Sequence, residues 1–407
     1  MACPAGFTFD STPRKGPNAE MTETLQSGTR LFYHGYDIVW SENHLLASRL
    51  ESLRRIGDEL ADNALQVLKI KPGEDAYTIL QAYVAQPEHE QESPAPRMLM
   101  KQLMAVPEWV DWEQVRRGQQ VFWRYYFFIS HALLHFSLAG GFSAPKISKV
   151  LTSTGYLSGS RTKERVYETS QFVLDIANSL EHLQPGSGAG WKSTIQDLLG
   201  TLFSFSNCVW RVMETKMGVH MTRQEREDYL HLWRYVGYLM GVDDIFGATK
   251  SPELADACLE SIILHSVEPD PESGKLCASL LKSMAATPKL MTKVIRTLGL
   301  PDPFKFHLVL AESLLGADFW KANGLPSMSK PYWLLQKLMI WLMMVDLRLV
   351  NMLPWWFRAR SLMIQKTYYM MVAKNLGKKR TQFELRELPK TLPDIQLASK
   401  SLDDLTP

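Results

Sequence analysis

The amino-acid sequence predicts an all-α protein, and three observations carry that expectation. Apolar residues recur at spacings of three and four through long segments, two-residue alternation is sustained nowhere, and polar stretches rich in proline or glycine separate the periodic segments. No internal repeat is visible. At 407 residues, 45% of them hydrophobic and 22% charged, the chain is long enough for a large core or two modest domains. Its 12 Trp and 19 Met suit a wide apolar cavity, and they suit a bulky helical core better. The formal net charge of +2 gives no support for a nucleic-acid partner.

Taken along the chain, residues 1–25 are rich in Pro, Gly and Thr, carry no apolar signal-like core, and read as a flexible N-terminal segment. Leu46, Leu50, Leu53, Leu60, Ala64 and Leu68 fall on one helical face. The polar, Pro-rich stretch 84–97 reads as a surface loop. Asp111, with Gln114 three residues on, is expected to cap one long interior helix running to Gly140-Gly141. Val166, Thr169, Val173, Ile176, Leu180 and Leu183 mark another helix, ended by the PGSGAG break at 185–190. Thr222 to Glu225 reads as a capping box, and Gly241 closes the helix it opens. The most apolar stretch, Pro331 to Phe357, is interrupted by Lys337, Asp346 and Arg348. It therefore falls short of the roughly 20 apolar residues of a spanning helix. A buried helix is the first reading; peripheral membrane contact through Trp355, Trp356, Arg358 and Arg360 is the second. The simplest partition is a single helical domain over 26–380, with a core at about 107–250 and peripheral C-terminal helices at about 251–380, followed by a loosely ordered tail at 381–407.

The motifs of several enzyme classes are missing: no phosphate-binding glycine loop, HExxH, GxSxG or paired CxxC occurs. Cys3, Cys208, Cys258 and Cys277 are widely spaced, which argues against a disulfide scaffold and fits a reducing, intracellular setting. On the 166–183 helix, Arg165 precedes the stripe position Thr169 by one turn, with Glu168 placed to pair with it or to form a surface ion pair. His131 and His135, at i and i+4, can share a metal or be hydrogen-bonded core histidines. His231 and Asp243-Asp244 read as structural.

The order of several segments resembles a known family. PEWVDWEQVRRGQ, the apolar helix, GGFSAPKISKVLTSTGYL, the R-x-x-E-T of Arg165 to Thr169, GWK, and YLHLWRYVGYLMGVDD follow one another as in the latex clearing protein (rubber oxygenase) and mpaB-type fungal oxygenases. The resemblance runs from about Pro107 to Asp244, and more faintly to about Arg380. It implies a globin-like helical bundle with a large apolar pocket, a b-type haem, and oxidation of an apolar isoprenoid- or polyketide-like small molecule in fungal secondary metabolism. The cell location it implies is cytoplasmic or peripheral to the endoplasmic reticulum. Arg165 and Thr169 match the family's R-x-x-K-T pattern, while Glu168 stands where rubber oxygenases carry lysine; these three are the catalytic candidates. The family's proximal histidine has no counterpart in Ile195 to Asn207, and no histidine occurs between His182 and His220. Cys208, His131, His135 and His220 are the substitute ligand candidates. Two other readings stand beside the oxygenase: a haem-free enzyme performing redox-neutral acid–base chemistry, and a non-catalytic lipid-binding protein.

Overall fold

The computed structural model describes residues 18–34, 36–53, 59–71, 74–87, 93–145, 148, 160–185, 202–242, 247–285 and 301–376. Among these residues the protein is helical throughout except for one small hairpin. After α1 (Ala19–Thr22), strands β1 (Arg30–Tyr33) and β2 (Tyr36–Val39) pair antiparallel, with Arg30 opposite Val39 and Tyr33 opposite Tyr36. No alternation announces this pair in the sequence, because four residues are too few to establish one. Its fully buried Ile38 anchors it to the body.

The N-terminal helices are short: α2 (Ala47–Leu53), α3 (Glu59–Leu68), α4 (Ala76–Val84) and α5 (Ala95–Met104). Leu50 and Ala64 are buried, as the apolar stripe requires. Asp75 caps α4 by accepting the Thr78 amide hydrogen.

The long helix expected from Asp111 to Gly141 divides into consecutive pieces. Asp111 does cap its start, accepting the Glu113 and Gln114 amides. Helix α6 (Trp112–Arg124) then breaks at Tyr125, and α7 (Tyr126–Ala132) passes into a π-helical stretch, Leu133–Leu138, before α8 (Ala139–Gly141). The reason lies in the aromatic run. Trp123 donates its indole N–H to the Ala177 carbonyl, the Tyr125 hydroxyl lies 3.1 Å from Glu225, and the Tyr126 ring meets Tyr368. Consecutive bulky side chains must each find a different neighbour, which a single straight helix does not allow.

Helix α9 (Ser160–Asn178) and a 3₁₀ turn, Leu180–His182, carry the predicted 166–183 stripe. Short α10 (Leu202–Phe205) leads to α11 (Asn207–Met217), which ends at Gly218 with φ 67°. The capping box at Thr222 is present in full, and α12 (Arg223–Leu239) ends just before Gly241, whose φ is 72°. Helices α6 and α12 approach backbone to backbone: a Cβ on Gly118 would lie 2.5 Å from the Asp228 carbonyl oxygen. Arg117 also pairs with the buried Asp228 at 3.0 Å across this contact.

Helices α13 (Pro252–Ser266), α14 (Pro271–Ala285), α15 (Pro303–Leu315) and α16 (Ala317–Ala322) add Leu259, Leu280, Leu308 and Trp320 to the same hydrophobic cluster as α6, α7 and α12. The chain after Ser251 thus contributes to the core rather than lying outside it. The last two helices, α17 (Lys330–Met352) and α18 (Pro354–Asn375), correct the first reading of 331–357 as a buried helix. Leu353 is extended (φ −126°, ψ 95°) and Pro354 cannot continue the preceding helix, so the stretch folds into an elbow. One side rests on the body and the other is open: Leu334 is 70% and Met352 74% exposed. No helix among the described residues is long and apolar enough to cross a membrane.

Candidate functional site

The π-helical stretch after α7 brings together groups that the sequence scatters. His131, on α7, is 6% exposed, and His135, inside the π stretch, is 5% exposed. Their Nδ1 atoms lie 2.9 Å apart. His135 Nε2 in turn lies 2.8 Å from Nδ1 of His307 on α15, and these two rings stack at 5.1 Å. The three imidazoles form a chain that runs from the interior to half-buried His307. π-Helical turns are uncommon and concentrate at functional sites.

Burial sets the charge state of the chain. It pushes His131 down to about 3, with His307 adding a smaller repulsion. It also holds His135 well below the ordinary histidine range, with His131 and His307 each contributing. His307 is lowered by burial as well. All three rings are neutral at neutral pH, so each carries one ring proton and offers one lone pair.

Two polarities satisfy the chain. In the first, His135 Nδ1–H donates toward the His131 carbonyl (3.2 Å) and His131 Nδ1, and His307 Nδ1–H donates to His135 Nε2. In the second, His131 Nδ1–H donates to His135 Nδ1, and His135 Nε2–H donates to His307 Nδ1. Either way His131 Nε2 is buried with no hydrogen-bond partner. An unmet buried polar atom costs about 1–3 kcal/mol. In the second polarity that atom presents a bare lone pair, and its Nδ1–H is held by a neighbour in the manner of metal-ligating histidines.

The other ligand candidates lie differently. Cys208, on α11, is buried, with the Ser137 hydroxyl 3.6 Å from its sulfur. Burial pushes its thiol up to about 11, which disfavours the thiolate a metal needs. His220 is exposed on the segment between α11 and α12. Within Ile195 to Asn207 the described residues begin at Leu202; there Ser206 donates to the Leu202 carbonyl and Asn207 to the Ala255 carbonyl, at 2.8 and 2.6 Å. Tested against a b-type haem, the donor set therefore fits at one atom, His131 Nε2. His135 has both ring nitrogens engaged, Cys208 is a buried thiol, and His220 faces solvent.

The three catalytic candidates all lie on α9. Thr169 is exposed and Glu168 half-buried, and the side chain of Arg165 lies outside the described residues. His231 is structural, as expected: its Nε2 accepts the Asp111 amide hydrogen at 3.1 Å and so helps seat the start of α6. Asp243-Asp244 lie outside the described residues. His307 was missed by sequence reasoning, because it stands 172 positions from its partner and nothing in FKFHLVLAE distinguishes it from a core residue.

Two of the clefts on the described surface have clear walls. One of about 450 Å³ lies between Arg124, Tyr125, Thr222 and Glu225 on one side and the α17–α18 elbow at Asn351 and Pro354 on the other. The second, of about 300 Å³, is bounded by Trp109, His231, Arg234 and Lys250. Neither is the large enclosed apolar pocket that the resemblance implied.

Residues 182–360 match the family model described as ER-bound oxygenase mpaB/B'/Rubber oxygenase, catalytic domain. This bears out the resemblance read from the motif order, although the matched stretch lies further along the chain than the motifs did and begins after Arg165 to Thr169. Among solved structures, one of latex clearing protein in the closed state is similar, at 16% identity over 83% of this chain and 90% of that one, with a TM-score of 0.39. No curated protein matches the chain.

Proposed function

We propose that this chain, whose residues 182–360 carry the mpaB/rubber oxygenase catalytic-domain match, is a haem-dependent oxygenase acting on an apolar isoprenoid- or polyketide-like small molecule. The match supports oxygenase activity in general. The observation that carries the finer reading is the orphaned Nε2 of His131, a neutral imidazole nitrogen buried without a partner. In this reading His131 holds the haem iron, and the haem, when bound, supplies binding and activation of dioxygen. His135 accepts the Nδ1–H of His131 and so fixes its ring, while His307 accepts the far proton of His135 and completes the chain. The His131 Nε2 nitrogen is itself buried, which keeps water from it. Half-buried Glu168, in place of the family's lysine, holds or moves a proton near the substrate, with Arg165 and Thr169 on the same helix. An intracellular setting, in the cytoplasm or at the endoplasmic reticulum surface, and a place in fungal secondary metabolism belong to the same reading.

The lack of a histidine between His182 and His220 favours a second reading, a haem-free enzyme using acid–base chemistry on an apolar substrate. One experiment separates the two. The protein is expressed with ample haem precursor, purified, and given apolar isoprenoid and polyketide substrates while dioxygen uptake and products are followed. A red-brown protein that consumes dioxygen with substrate supports the oxygenase. A colourless, folded protein that converts substrate without consuming dioxygen supports the second reading, and loss of that turnover in Glu168→Gln would place the carboxyl in its mechanism.

A further inference from the structure

The elbow formed by α17 and α18 is apolar and basic on one outer side. On α17, Leu334, Leu338, Trp341, Leu349 and Met352 are exposed at steps of four, three, eight and three residues, which places them on a single stripe. On α18, Trp355, Leu362 and Met363, and Met370 follow at steps near seven, again on one side. Exposure here is large, at 59% for Trp341, 63% for Trp355 and 65% for Leu362. Scattered apolar residues are normal on a soluble surface, whereas a continuous array along two helices marks a contact site.

Charge identifies what the site contacts. Lys330, Lys337, Arg348, Arg358, Lys366 and Lys374 are exposed along the same two helices. The one acidic residue in either helix, Asp346, is withdrawn from the surface: Arg360 pairs with it at 2.5 Å and the Trp356 indole donates to it at 3.2 Å. A second copy of the elbow would bring like charges together, and an uncharged apolar partner would leave the basic residues facing nothing. Tryptophans beside lysines and arginines on an amphipathic helix match the interface of an anionic bilayer. Neither helix is apolar enough to enter it fully.

We propose that the α17–α18 elbow docks the protein on an anionic lipid bilayer, with Trp341, Trp355 and Leu362 at the boundary between headgroups and acyl chains and Lys337, Arg358 and Lys366 against lipid phosphates. The 450 Å³ cleft is walled on one side by Asn351 and Pro354 of the same elbow. The inference stands on the exposed surface alone and is independent of whether haem is bound.

The test is co-sedimentation of the full chain with phosphatidylcholine vesicles, with and without roughly one third phosphatidylserine. The expected result is binding to the serine-containing vesicles, weakened by salt, and little binding to the neutral ones. Lys337→Glu, Arg358→Glu and Lys366→Glu together weaken it about a hundredfold, about fivefold for each basic residue lost. Trp341→Ser with Trp355→Ser abolishes it while the melting temperature holds, since both side chains are mostly exposed. Equal binding to both vesicle types, or none to either, would overturn the proposal. So would a stable dimer that these variants dissociate while vesicle binding persists. If the serine variants melt early, the charge reversals carry the test, because they leave the apolar packing intact.

Discussion

Asp256 on α13 shows how one buried charge sets a pH response. Burial raises its carboxyl from the ordinary 3.8 to about 6, against the opposing pull of Arg211 and of hydrogen bonds from Trp210 and Asn207. The folded protein thus keeps this proton to higher pH than the unfolded chain does. The stability it contributes is present below about pH 3.8 and is lost as pH rises through about 6. Asp256→Asn keeps an acceptor for Trp210 and removes the titration. Its melting temperature relative to the parent is therefore expected to rise between about pH 4 and about pH 7, and a constant difference would remove Asp256 as the source. Cys208 gives a second residue-scale expectation. A buried thiol pushed up to about 11 is a poor nucleophile, so iodoacetamide should label it at neutral pH only when the protein unfolds. Rapid labelling in the native state would show that the site opens. The histidine chain belongs to this scale too. The i,i+4 spacing of His131 and His135 was visible in the sequence, but not that each would point Nδ1 at the other. That orientation comes from the π-helical backbone, which no local pattern announced.

At the scale of elements, the sequence was most informative where a side chain acts on its own helix. The Asp111 cap and the Thr222–Glu225 box are local chemistry, and both stand where the spacing put them. The division of 111–141 was illegible, because it follows from distant partners such as Ala177, Glu225 and Tyr368. Likewise Thr169 held a stripe position in the sequence yet lies exposed, since the neighbours that cover α9 leave that turn open. The contact between α6 and α12 is the tightest element-scale feature to probe. Gly118→Ala would put a Cβ 2.5 Å from a backbone oxygen and 2.8 Å from Leu232 Cβ, neither of which is the free end of a flexible chain. The two helices must separate, at a cost of about 1–3 kcal/mol. Denaturant titration should show that loss, and an unchanged midpoint would mean the helices can slide apart freely.

For the whole molecule, an all-helical body with one core from α4 to α18 was legible from periodicity, and the similarity to the mpaB/rubber oxygenase catalytic domain from the order of its motifs. The α17–α18 surface was only half legible. Its apolar content suggested burial, and what decided against it was Pro354, which turns one long stretch into two helices sharing an open side. His307 was invisible for a related reason: only tertiary packing carries α15 to the π-helical stretch.

On the proposed reading, His131 offers the ligating nitrogen for a haem in a chain that has no histidine between His182 and His220. The most direct measurement is the absorption spectrum and iron content of the purified protein and of His131→Ala, both expressed with ample haem precursor. The expected result is a stoichiometric near-ultraviolet haem band in the parent, its loss or marked shift in His131→Ala, and an unchanged band in Cys208→Ser. A full band retained by His131→Ala, or a folded parent free of iron and colour, would contradict it.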